Sequence, residues 1–401
     1  WDFFHNLTVA LPHTRRFELC AWVFAVAYTL VAIGFLSDRI VFDGSRLRRC
    51  GLGTWLFALL GQPTEMELDE IEVISSYAVK AGREGLRYNS VIGGEFVTWR
   101  ISSTATNYQN FIKAFFKAVS PHVLDPLSTE LLLYWREAEP PFVASSTTTL
   151  RHYERWRRKA IRLSLDGLHD AAKSYFKIAH ENAPDDPQIA YDVGRFLRRR
   201  ALALGAMSER GKADNLRAET YFRMAGRLAR AQQNARILER VGEAFFEFHQ
   251  LEAAQKYFEL AVRLDPVRPR ANIGLAGIAL QNAQGVRAVH SYVQAARGAE
   301  AAGATGLAQL AARKSEYYER LMNDDAFLSA ETSWSAVLNQ LKWVQRGTMS
   351  AFLLFWMVQL ASFDFITPLR MLSREVSATA LILWICSLAA SQIIMAYRRR
   401  T

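Results

Sequence analysis

Between residues 150 and 300 the apolar positions recur at intervals of three and four, with charged residues filling the gaps, which is the period of amphipathic helices. In the stretch GLHDAAKSYFKIAHENAP, residues 167–184, Ala172, Phe176 and Ala179 fall on one helix face and Pro184 ends the helix. Upstream, Trp156, Ala160 and Leu163 make a matching stripe. The spacing predicts a first helix packed antiparallel on a second around a turn at Gly167. The same skeleton returns in LEAAQKYFELAVRLDP, where Ala254, Phe258, Ala261 and Pro266 keep those offsets behind Leu238, Val241, Gly242 and Phe245. Recurrence at fixed offsets predicts stacked helical hairpins.

The flanks follow other patterns. Residues 19–36 carry no charge, and eighteen residues of helix rise about 27 Å, so this run predicts a first spanning helix. Residues 347–369 and 377–397 predict two more. Segment 1–18 mixes aromatic and basic residues suited to a membrane interface, and 37–61 reads as a basic juxtamembrane segment. Residues 62–149 form an acidic adaptor domain, small and mixed α/β or helical. Helices are predicted at Met66–Lys80, Asn107–Val119 and Leu127–Arg136, and a hairpin over Tyr88–Thr104 with Gly93-Gly94 at its turn. Residues 301–346 predict a capping helix and an approach to the bilayer. The chain opens on Trp1, which predicts that the numbering begins inside a longer product.

The repeats resemble the tetratricopeptide repeat family. One unit places Trp156, Ala160, Leu163, Gly167, Ala172, Phe176, Ala179 and Pro184 at signature positions, and a second places Gly242, Ala254, Phe258, Ala261 and Pro266 there. A third follows with Leu275, Ala276, Ala279, Ala288, Tyr292 and Ala295. A degenerate unit between the first two has Tyr191, Val193, Gly194 and Leu197, then Ala218, Phe222 and Ala225, split by an insert over Leu202–Asn215. The resemblance covers about residues 150–298, within a repeat region read as 150–300. It implies a solenoid of helical hairpins, and with the apolar runs and the acidic segment the chain reads as mainly α, the solenoid joined to transmembrane helices and to the small mixed α/β or helical adaptor domain. It also implies that the first helices line a concave, partner-binding face. The outward positions of those helices are Arg157, Arg158, Tyr191, Arg195, Arg198, Arg236, Arg240 and Glu243, a mostly cationic groove for an acidic peptide or helix. The Lys and Asn residues of the family's two-carboxylate clamp are absent, so a chaperone co-receptor role is not implied.

Charge sharpens this picture. The formal charge is +10, yet residues 151–325 hold 29 basic and 21 acidic residues, while 62–150 hold 7 and 11. A basic solenoid without interleaved aromatic platforms does not read as a nucleic-acid binder. Nine flanking cations (Arg39, Arg46, Arg48, Arg49, Lys342, Arg346 and Arg398 to Arg400) oppose four (Arg15, Arg16, Arg370, Arg374). Three spans would then place the repeats and the C-terminus on the cytoplasmic side of the cell's inner membrane.

Catalytic chemistry is not legible. Cys20, Cys50 and Cys386 form no paired motif, and the eight histidines make no metal-binding spacing. No phosphate loop or nucleophile elbow occurs, and no cofactor is implied. The reading is a non-catalytic, membrane-anchored scaffold that binds other proteins, including other membrane subunits, within a larger complex. The alternative is a channel or transport subunit in which the spans act through Asp364.

Overall fold

The computed structural model describes residues 39–51, 63–81, 85–95, 97–136, 152–205 and 207–361, with isolated positions at 54 and 58 and between 376 and 394. It divides into two compact units, Trp1–Glu316 and Tyr317–Thr401.

Among the described residues the first unit starts with two antiparallel three-stranded sheets. Strands β1 (Arg39–Phe42), β2 (Arg46–Cys50) and β3 (Glu65–Glu67) pair in that order, with Arg39 opposite Cys50 and Arg46 opposite Glu67. The arginines assigned to a juxtamembrane segment thus sit in a strand. Arg46 and Arg48 face Glu65 across the sheet at 3.7 and 3.5 Å, half exposed. The second sheet is β4 (Ile71–Ala81), β5 (Gly85–Gly94) and β6 (Thr98–Ser102).

Here the helix expected over Met66–Lys80 is replaced by β3, a short 3-10 turn and β4. The reason is visible in the alternation. Past an irregularity between Ile71 and Val73, Ile74 and Ser76 point inward, while Tyr77 and Val79 point out. A serine inside and apolar residues outside invert the usual strand pattern. Ser76 tolerates burial because its hydroxyl bonds those of Ser90 (2.9 Å) and Ser128 (2.8 Å). The β5–β6 hairpin does form, but Gly93 and Gly94 end strand β5, Gly93 pairing with Thr98 of β6. Helices α1 (Tyr108–Ala118) and α2 (Pro126–Arg136) follow as expected. Phe115, Phe116 and Ile112 of α1 lie in the core of this α/β module.

Nine further helices follow among the described residues of the repeat region and beyond: α3 (His152–Leu165), α4 (His169–Asn182), α5 (Pro187–Leu204), α6 (Glu209–Ala231), α7 (Ala235–Glu247), α8 (Leu251–Leu264), α9 (Pro269–Gln281), α10 (Gly285–Ala301) and α11 (Thr305–Asn323). Through α10 they stack as antiparallel hairpins, α3 with α4, α5 with α6, α7 with α8, α9 with α10. The turn at Gly167 requires its left-handed backbone, φ 80°. Ala160, Ala172, Phe176, Ala179, Ala254, Phe258 and Ala261 are all buried, as their spacing predicted. Trp156 stacks on Tyr175 at 5.5 Å. Pro184 and Pro266 lie just past the ends of α4 and α8. Each buried phenylalanine contributes about 1.5–3 kcal/mol. The alanines and glycines beside them let the helices approach. A Cβ on Gly194 would stand 2.7 Å from the ring of Phe222, and one on Gly242 2.7 Å from Phe258. The insert expected over Leu202–Asn215 is mostly helix instead: α5 and α6 lengthen into it, leaving only residues 205–208 between them. Ser208 caps α6 by accepting from the Gly211 N–H.

The second unit holds α12 (Asp325–Ala361), 37 residues and about 55 Å long. The Tyr317 hydroxyl donates to Glu331 (2.8 Å), and the Gln345 amide donates to the Ser387 carbonyl (3.1 Å).

Among the described residues no helix is long and apolar enough to cross a membrane. This corrects the expectation of a solenoid joined to transmembrane helices, and with it the inner-membrane location and the cytoplasmic side assignment. The physical reason is clearest for the run expected at 347–369. It is the end of one continuous helix that also carries Asp325, Glu331, Lys342 and Arg346. Among the described residues its uncharged part, 347–361, rises about 22 Å against a hydrocarbon thickness of about 30 Å, and 362–369 lie outside them. Residues 1–18 and 19–36 lie outside the described residues, as does most of 377–397. The described residues therefore supply none of the spans that a channel or transport subunit needs, and Asp364 lies outside them.

Candidate functional site

The face lined by the first helices of the hairpins, α3, α5, α7, α9 and then α11, is where the structure differs most from the sequence expectation. Much of it is covered by the chain's own acidic α/β module. Glu130 of α2, 5% exposed, sits between two arginines of α5, Arg195 and Arg199, 7% and 5% exposed. Its carboxylate accepts from Arg195 Nε at 3.1 Å and pairs closely with Arg199. Arg195 also reaches Glu247 of α7 at 3.1 Å, and Arg199 Nε donates to Ser164 Oγ of α3 at 3.1 Å. Burial alone would lower the Arg195 guanidinium pKa, but Glu247, Tyr191 and Glu130 hold it well above its usual value.

Further contacts pin the module along the array. The Tyr88 hydroxyl donates to the Leu165 carbonyl (3.1 Å), and burial pushes its pKa up to about 12, so it stays protonated. Arg270 of α9 donates to the Leu124 carbonyl (2.9 Å). At the far end the Thr305 hydroxyl donates to the Asp69 carbonyl (3.1 Å), and Arg313 of α11 pairs with Glu72 and, at 2.9 Å, with Glu95. A Cβ on Gly306 would collide with the backbone carbonyl of Ile71, so glycine permits this approach. Asp125 caps α2 by accepting from the Ser128 N–H (2.6 Å) and also takes the Ser76 N–H of β4 (3.0 Å). Burial nonetheless pushes its pKa up to about 6, against the pull of those bonds and of Arg270.

The eight residues expected to line a peptide groove therefore divide. Tyr191 and Arg195 are buried, the Tyr191 ring packing on Phe222 at 5.6 Å. Arg157 is held by Asp192 at 2.5 Å and Glu154 at 3.5 Å, and Arg158 by Glu154 at 3.3 Å. Arg198 donates to Asn215 (2.9 Å) and covers the Phe248 ring at 4.4 Å. Glu243 takes Arg270 Nε at 2.5 Å. Arg236, exposed, and Arg240, half buried, make no hydrogen bond or ion pair among the described residues. They are the part of the expected groove that stays open.

Sequence reasoning missed Glu130, Arg199, Arg270, Arg313 and Glu72. One signal pointed toward them: an acidic segment followed by a basic one in the same chain, whose opposite charges meet in this interface. Among the described residues no group of three His, Cys, Asp or Glu is placed to hold a metal ion.

A stack of antiparallel helix pairs whose first helices grip a folded domain defines a helical-repeat-like α fold with a docked α/β module. No protein-family model matches the chain, and no curated protein matches it.

Proposed function

We propose that this chain is a non-catalytic protein-interaction scaffold of the tetratricopeptide type. The observation carrying the reading is that the first-helix face already holds a folded protein surface, through the buried Glu130–Arg195–Arg199 cluster and the Arg270 and Tyr88 hydrogen bonds. A face that grips protein in cis, with one stretch of cations left open beside it, suits a second protein in trans. No part of this role needs a reaction centre.

Cross-linking in the native cell, followed by mass spectrometry, tests it. Lysines of the repeats such as Lys173, Lys177 and Lys256 should give reproducible links to other proteins. The purified chain should then bind those proteins directly. Links confined to this chain alone would refute the scaffold reading.

A further inference from the structure

On α7, Arg236, Glu239, Arg240 and Glu243 are spaced three and four apart and share one stripe. Glu239 accepts from the Ala271 N–H (3.0 Å) and lies 3.5 Å from Arg268, and Glu243 pairs with Arg270 at 2.5 Å. Both carboxylates are thus engaged by α9. Because Arg270 also holds the Leu124 carbonyl, the loop 119–125 is drawn against α9 and brings His122 to the same place. Arg268 has Asp265 as well, at 2.9 Å. Arg236 and Arg240 remain, one turn apart, with no ion pair or hydrogen bond to a carboxylate among the described residues, Glu239 and Asp192 acting on them only at longer range.

Two cations at that spacing repel each other unless an anion joins them. The effect registers on their neighbours. The Arg236 guanidinium pKa is lowered first by Arg240, then by burial, Arg268 and Arg157, with Glu239 opposing. The His122 imidazole pKa is lowered by burial, then by Arg268, Arg270 and Arg236, with Asp265 opposing. Groups from α3, α7, α9 and the 119–125 loop thus share a positive potential that Glu239, Asp265 and Asp192 offset only in part.

A template for what fills such a pair lies on the preceding first helix. Arg195 and Arg199 have the same four-residue spacing on α5 and hold a protein carboxylate, Glu130, between them. We infer that Arg236 and Arg240 form a second arginine pair that receives the carboxylates of an acidic peptide segment from a partner protein, with Arg268 and His122 at its margin. This rests on the scaffold reading and names where, and by what chemistry, the partner is held. Guanidinium forks match carboxylates bidentately, and both side chains are reachable from solvent.

Fluorescence anisotropy with the full chain tests it, using a labelled octa-glutamate peptide as probe. Octa-glutamate should bind at moderate salt and octa-glutamine should not. The double variant Arg236→Glu/Arg240→Glu should weaken binding about tenfold or more, and Arg236→Gln/Arg240→Gln should weaken it in the same direction. The charge-matched control Lys173→Glu/Lys177→Glu, on α4, should stay within about twofold of wild type. Equal loss in both charge reversals would reduce the effect to net charge and overturn the site, as would absent binding by the wild type. Displacement of the peptide by inorganic phosphate at equal anion concentration would reassign the site to a small anion and also overturn it. If interprotein cross-links persist while octa-glutamate does not bind, the site fails and the scaffold stands. Peptide binding with no interprotein cross-links would instead uphold the arginine pair as an acidic-peptide site and overturn the scaffold.

Discussion

Replacing Glu130 by alanine removes the one carboxylate that lies between Arg195 and Arg199, and the consequences for the two arginines are unequal. Arg195 keeps Glu247 at 3.1 Å. Arg199, 5% exposed, keeps only the Ser164 hydroxyl, and one of its terminal nitrogens already lacks a partner. Breaking a buried ion pair from one side leaves an uncompensated charge in low dielectric and costs about 3–5 kcal/mol. Most of that loss should fall on Arg199. Chemical denaturation followed by circular dichroism reads it directly. Hydrogen exchange should show residues 127–132 of α2 losing protection before the repeat helices do. The cycle is completed by Arg199→Met. The double variant Glu130→Leu/Arg199→Met should recover more than half of the loss, because no charge is then stranded. A loss below about 1 kcal/mol for Glu130→Ala, the range of exposed pairs, would refute the view that this cluster clamps the module onto the repeat helices.

Three other outcomes are expected. Gly242→Ala should cost about 1–3 kcal/mol, because the new Cβ would press on the Phe258 ring, and Phe258→Leu in the same chain should relieve part of it; additive losses in denaturant titrations would count against that contact. Gly306→Ala forces a side chain onto the Ile71 carbonyl, so exchange protection over 68–74 should fall more than in the remainder of the module, and uniform change would argue against a local clash. Asp125 and Glu239 have folded-state pKa values raised by burial to about 6 and about 7. The stability they contribute is fully present below their unfolded values near pH 4 and is lost as pH rises through 6 to 7, by up to about 3 kcal/mol each. Denaturant midpoints between pH 4 and 8 should show this fall, and Asp125→Asn with Glu239→Gln should flatten it; an unchanged slope in that variant would remove these two groups as its source.

The helical hairpins were readable from the chain because their information is local. Ala172, Phe176 and Ala179 meet across a few turns, and the same offsets return at Ala254, Phe258 and Ala261, so periodicity alone names the buried stripe. Strand β4 was not readable, since its inward Ser76 and outward Val79 invert the alternation and find their sense only when Ser90 and Ser128 arrive from elsewhere. The insert after Leu202 was expected because the repeat offsets are interrupted there, yet Leu202, Ala203, Glu209, Arg210, Lys212 and Ala213 favour helix, and α5 and α6 extend into it.

The candidate site shows the same division. Composition alone determined that an acidic segment precedes a basic array, and helix spacing put Arg195, Arg236 and Arg240 on one kind of face. Which cations meet carboxylates was decided by contacts spanning 65 residues for Glu130 and Arg195 and 241 for Glu72 and Arg313, distances over which no periodicity carries information. Sequence sets the period of each helix and the sign of each segment. Only the folded chain, by laying the module across the first helices, determines which charges are neutralised in the interior and leaves Arg236 and Arg240, of the expected groove cations, without an ion pair among the described residues.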